Sequence, residues 1–250
     1  MLLSEMSRHA LARPITSGAP PLLHASARKD IALKPTHPIL YLSLAVLLVC
    51  GGFAYSRRTP PGSATQALHI YIGLDTSGSA RAHLGGYTLL SGQISARLHS
   101  GKDRLTLFRV DDTTQEFSNH AASGSMEDTL TDIAHNVRAL SPRPCTKPAV
   151  FWKEAARRAS MDSARSVIVL FSDGDNDDMT AASQAEICAA ARQIASCASV
   201  QAVLICGAEP RNWKTLRAAF APLGDHRFLL LNPAEMDILP IAEALETARH

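Results

Sequence analysis

From Leu68 to the C-terminus, short apolar runs alternate with segments of helical period, and no other feature constrains the fold as tightly. The runs LHIYIGLD (68–75), SVIVLFSD (166–173) and VQAVLICG (200–207) are apolar and β-branched with little alternation, as strands covered on both faces are. Between them, Tyr87, Leu90, Ile94 and Leu98 share one face of a predicted helix over 81–98. Met126, Leu130, Ile133, Val137 and Leu140 form a continuous stripe over 125–140, with Ser125 and Asp128 placed as a helix cap. Strands are expected over 103–110, 113–117 (across a tight Asp111-Asp112 turn) and 226–231, and helices over 148–160, 180–199, 211–220 and 234–248. This alternation predicts an α/β fold: a doubly wound, mostly parallel central sheet with helices on both faces. Ligands of such sheets bind at the carboxyl ends of the strands, near the point where strand order reverses.

The chain before Leu68 has a different character. Residues 1–37 carry Pro14, Pro20, Pro21 and Pro35 among small, polar and basic residues, and read as a disordered tail, a short helix near the start being the alternative. Residues 38–56 hold no charge, and the seventeen from Ile39 to Tyr55 are almost wholly apolar. As a helix they reach roughly 25 Å, the short end of what crosses a hydrocarbon core, with Tyr41 and Tyr55 at the interfaces. A single transmembrane anchor is the reading preferred. A cleaved signal peptide (Gly52-Phe53-Ala54 as a small-x-small site), a lipobox at Cys50 and a buried core helix are its rivals. Arg8, Arg13, Arg28, Lys29 and Lys34 precede the span, whereas Arg57 and Arg58 follow it. The positive-inside rule thus puts the N-terminus in the cytoplasm and the domain at 68–250 outside it, periplasmic or extracellular, beyond a Pro-stiffened linker at 57–67.

Composition removes several classes of function. With 25 basic against 23 acidic side chains and 5% aromatics, the chain has neither a phosphate-neutralising surplus nor a base-stacking surface, so nucleic acid is not an expected partner. Five scattered cysteines without a C-x-x-C pair support neither a disulfide scaffold nor a structural zinc site. The ten histidines show no metal-ligand spacing.

Chemistry concentrates at two strand ends. The first strand closes on Asp75-Thr76-Ser77-Gly78-Ser79, which sets one carboxylate and two hydroxyls in a tight turn. These are hard oxygen donors of the kind Mg2+ or Mn2+ accepts. A polar helix cap would need only one of them. The run over 166–173 ends on Asp173-Gly174. If the two strands are neighbours, Asp75 and Asp173 face each other, and two close carboxylates repel unless a proton or cation lies between them.

These motifs resemble those of von Willebrand factor type A domains, whose fold carries a metal-ion-dependent adhesion site. The family's D-x-S-x-S matches Asp75, Ser77 and Ser79, and its later strand-end Asp-Gly matches Asp173-Gly174. Its remaining ligand is a loop Thr between the two; Thr146 matches by position, although Cys145 stands where the family has Gly. Thr129 and Thr131 would lie inside a helix. The resemblance covers about 68–248 and implies that Asp75, Ser77, Ser79, Thr146 and Asp173 hold Mg2+ or Mn2+. One position would stay open for an acidic side chain of a partner protein. It also implies a binding module rather than an enzyme, with no organic cofactor.

Asp175-Asn176-Asp177-Asp178 reads as a solvated acidic rim, or else as a second cation site. Outside the cytoplasm a disulfide is permitted, and Cys145 with Cys188 is the preferred pair, set against free thiols. The alternative functions are a subunit of a membrane-associated, ATPase-linked assembly and a metal-dependent phosphohydrolase. For the latter, Ser77 stands where a haloacid-dehalogenase phosphatase needs its second Asp, and neither a nucleophile elbow nor a phosphate loop is present. The Ala-rich helices and few aromatics are compatible with a bacterial source.

Overall fold

A computed structural model describes residues 66–138, 145–177, 180–233 and 237–250. The apolar runs become strands β1 (Leu68–Asp75), β2 (Arg104–Val110), β4 (Arg165–Phe171), β5 (Val200–Cys206) and β6 (Phe228–Leu231), with the polar β3 (Thr114–Ala121) between β2 and β4 in sequence. They form one sheet in the order β3-β2-β1-β4-β5-β6. All neighbours are parallel except β2 and β3, which are antiparallel. Strand order reverses between β1 and β4, so a ligand crevice is expected above their carboxyl ends.

Among the described residues, six α-helices cover the two faces. α1 (Leu84–Ser95), α2 (Met126–Arg138) and α6 (Ile238–Arg249) share one core; α3 (Pro148–Met161), α4 (Ala181–Ser196) and α5 (Trp213–Phe220) share the other. The pleat of β1 divides its side chains accordingly. Leu68, Ile70, Ile72 and Leu74 pack with Tyr87, Ile94, Ile133 and Leu245, whereas Tyr71 packs with Phe151 and Trp152. Gly73 faces α3, where a Cβ would stand 2.8 Å from the Phe151 ring. Gly73→Ala therefore overpacks the sheet–helix contact and should cost about 1–3 kcal/mol, read as a lowered thermal midpoint.

The structure revises several boundaries. Instead of one helix over 81–98, a 3-10 turn at Ala80–Ala82 precedes α1, which ends at Ser95. Ser79 makes no capping bond there, because its hydroxyl lies against Ser77. β3 runs to Ala121 rather than stopping near Phe117, pairing along the edge of the sheet by its backbone. Ser125 caps α2 as expected, accepting from the Asp128 N–H at 3.2 Å. Met126 is 40% exposed, so the α2 stripe is less continuous than its period suggests. Met126 and Leu130 still lie over Gly92 of α1, whose missing side chain admits α2.

Among the described residues no helix is long and apolar enough to cross a membrane. The expected tail at 1–37, the apolar span at 38–56 and linker positions 57–65 lie outside the described residues.

Candidate metal-ion site

The carboxyl end of β1 delivers Asp75 into the crevice, and three segments close around it. Its Oδ1 accepts the Ser77 N–H at 2.9 Å, which bends the chain into the D-x-S-x-S turn. Thr146 Oγ1 donates to the same oxygen at 3.2 Å from a position 71 residues away. Ser172, just past β4, donates its hydroxyl to Asp75 Oδ2 at 2.7 Å. Ser77 and Ser79 bring their hydroxyl oxygens within 3.2 Å of each other. Asp173 follows Ser172, and Gly174 turns the chain away with φ +80°, a conformation that favours glycine.

Asp75 and Thr146 are fully buried and Asp173 is 3% exposed, whereas Ser79 faces solvent. Burial raises the Asp75 pKa; hydrogen bonds from Ser172 and Ser77 oppose that rise, and the charge of Asp173 adds to it. The cluster thus holds a carboxylate under electrostatic load beside hydroxyls directed at it or at each other. Two carboxylates and three hydroxyls form a hard-oxygen set that suits Mg2+ or Mn2+. Among the described residues no group of three or more His, Cys, Asp and Glu side chains converges, so a soft or imidazole-rich site is not offered there.

Three supports were not legible in the sequence. Ser172 is the first. The second is Asp177, whose Oδ2 accepts the Thr146 N–H at 2.7 Å. The third is the Arg109–Asp111 ion pair at the end of β2. From it Arg109 Nε reaches Thr76 Oγ1 at 3.2 Å, and the Asp111 carbonyl accepts from Lys147 N at 2.7 Å. Arg109 and Asp111 are buried, so the neutral pair can stiffen both ligand loops without leaving a bare charge beneath them.

The acidic loop is exposed at Asp177 and half-buried at Asp175, and both carboxylates also make contacts within the fold. Asp175 binds Arg211 at 2.7 Å and Asn212 at 2.7 Å, and Asp177 accepts the Thr146 N–H at 2.7 Å while remaining exposed. These carboxylates hold the loop in place, and at Asp175 and Asp177 they do not assemble a second cation cluster. Asp178 lies outside the described residues. Cys145 and Cys188 are both free thiols, half-buried, so the bridge considered above is not formed.

A doubly wound sheet with this strand order, five of its six strands running one way, matches the Rossmann-like fold of von Willebrand factor A domains. No protein-family model and no curated protein matches the chain by sequence. Solved structures match by fold. The PilB minor pilin of Streptococcus sanguinis is 11% identical with a TM-score of 0.57, over 77% of this chain and 64% of the pilin. This chain therefore spans less than two thirds of that protein's length. The BatB protein of Bacteroides thetaiotaomicron is 14% identical with a TM-score of 0.52, over 73% of this chain and 98% of BatB. Proximal thread matrix protein 1 of the mussel byssus, solved with a zinc-occupied adhesion-site motif, is 14% identical with a TM-score of 0.51, over 73% and 46%.

Proposed function

We propose that this chain is a non-enzymatic protein-binding module whose domain takes a partner's acidic side chain through Mg2+ or Mn2+. Asp75, Ser77, Ser79, Thr146 and Asp173 would hold the ion. The observation that carries this reading is the convergence of Thr146 and Ser172 on the buried Asp75 carboxylate, from loops 71 and 97 residues away in sequence. Two carboxylates just balance a divalent charge, and neutral hydroxyls leave the ion electrophilic towards an incoming carboxylate. The mussel protein of the same fold, whose adhesion-site motif holds zinc, is consistent with a cation at this place. The chain residues bind and orient; no nucleophile or general base stands in a named role, so phosphate hydrolysis is not proposed.

The charge-free run at 38–56 would anchor the module in a membrane, with the domain outside the cytoplasm. A reporter fused after His250 should then read as extracytoplasmic in an alkaline-phosphatase assay, and a cytoplasmic signal would reject that topology. Membership of a larger membrane-associated assembly uses the same site with a different partner, and the fold similarity to a minor pilin keeps it in view.

The direct test is calorimetric titration of the full chain with Mg2+ or Mn2+, followed by capture from membrane extracts in magnesium or in chelator. No binding near roughly millimolar metal would end the cation reading. Ser172→Ala should weaken the ion by roughly 10- to 100-fold, since it removes the group that orients Asp75 without removing a ligand. An affinity equal to wild type would show that Ser172 is not such a support.

A further inference from the structure

On the α3, α4 and α5 side of the sheet, a cleft of about 700 Å3 opens next to the Asp75–Thr146 cluster. Its floor is apolar: Trp152, Leu170, Ile187, Ile205, Leu216 and Ala219. Its volume falls within the ~300–1,000 Å3 typical of ligand pockets, and an apolar floor under a polar mouth is their usual make-up.

The cleft and the cluster share walls. Ser172 lines the cleft and donates to Asp75 at 2.7 Å. Asp177 lines it and accepts from the Thr146 N–H at 2.7 Å. Pro148, two residues past Thr146, lines it as well. A ligand bound at the cluster therefore begins at the edge of the cleft. Its mouth carries the acidic loop, where Asp175 pairs with Arg211 at 2.7 Å and the exposed Asp177 accepts the Thr146 N–H at 2.7 Å. The floor offers dispersion contacts rather than ionic ones, which fits an uncharged apolar group.

We propose that the cleft receives a large apolar side chain, leucine-sized or aromatic, from the same partner segment whose carboxylate meets the cation. This rests on the metal-mediated reading above and adds what that reading lacks. Every exposed Asp or Glu offers the ion the same carboxylate, so the ion alone cannot choose a partner. A second, apolar anchor at fixed spacing can, and burying one such side chain changes affinity by roughly 10- to 100-fold.

The test uses random heptapeptides displayed on phage, selected on the immobilised full chain in magnesium. Recovered peptides should carry an Asp or Glu and a Leu, Phe or Trp at one short, fixed spacing. Synthetic versions with that apolar residue changed to Ala should bind roughly 10- to 100-fold more weakly. Ala181→Trp and Thr215→Trp place bulk at exposed positions on the lip of the cleft. Each should cause the same loss while calorimetry shows magnesium binding as in wild type and the thermal midpoint is kept. Acidic peptides without an apolar preference, peptide binding untouched by both Trp variants, or no enrichment at all would overturn the cleft proposal while magnesium binding stands. Apolar peptides that lack an acid and persist in chelator would overturn the joint occupancy. Failure of wild type to bind magnesium would instead remove the proposed function itself, and with it the pairing.

Discussion

Titration of Mg2+ or Mn2+ into the Asp75→Ala or Asp173→Ala chain should give no heat of binding, while the wild type should saturate near roughly millimolar metal. The reason is charge balance in a buried place. Asp75 is inaccessible to solvent and Asp173 nearly so, so bulk water cannot stand in for either carboxylate around the ion. Losing one acid leaves a divalent cation opposite a single negative charge, with its hydration shell already partly surrendered. Ser77→Ala and Ser79→Ala remove neutral oxygens that water can partly replace, so their affinities should fall less. A thermal melt provides the independent reading. Saturating metal should raise the midpoint of wild type, because the ion binds the folded state, and leave that of Asp75→Ala unmoved. Metal binding that survives loss of both acids would place the ion elsewhere.

Asp103→Ala should destabilise the domain by about 3–5 kcal/mol, the range for breaking one side of a buried ion pair. Against a total of roughly 5–15 kcal/mol, that removes a large share of the stability. Asp103 is fully buried and meets Arg249 of α6 at 2.7 Å, while its carboxylate also accepts the Leu68 N–H at 2.9 Å and the His99 N–H at 2.7 Å. One side chain thus ties the start of β1, the turn after α1 and the end of the last helix. Burial alone would raise its pKa, but the hydrogen bonds from Arg249 and from the two backbone groups outweigh burial and leave it below the ordinary value of 3.8. A depressed folded pKa contributes stability above the unfolded value that is lost as pH falls through the folded one. Denaturant midpoints should therefore drop below about pH 4 in wild type, and Asp103→Ala should lack that part of the acid dependence. An unchanged midpoint in Asp103→Ala would show that the α6 end is held by its apolar face alone.

Parts of this molecule are written locally and parts are not. β1, β4 and β5 announce themselves because a strand covered on both faces must be apolar throughout, and any window of the sequence shows it. β3 does not. It lies at the sheet edge with polar residues on both sides of its pleat, so TQEFSNHA carries no period and its length comes from pairing with β2. The helix expected to begin at Arg81 starts later for a related reason. Ser79, which could have capped it, is turned to the cluster by the fold of the D-x-S-x-S loop.

The candidate site divides in the same way. The sequence by itself determined Asp75, Ser77, Ser79 and Asp173, because each sits in a short motif at the end of a strand whose burial is evident, and strand ends of a parallel sheet face a common crevice. It also determined the donor chemistry, since carboxylates and hydroxyls are hard ligands wherever they meet. Thr146 is reached from the sequence only through the family resemblance; the tertiary structure sets its hydroxyl on Asp75, sets Ser172 on the same carboxylate, and has Asp175 and Asp177 brace the loop. Each of those outcomes depends on a contact between segments some 30 to 100 residues apart, such as Asp177 to the Thr146 N–H and Ser172 to Asp75. No local preference encodes such a contact. It forms when strand order brings β1 and β4 side by side and the packed helices leave the intervening loops one place to go.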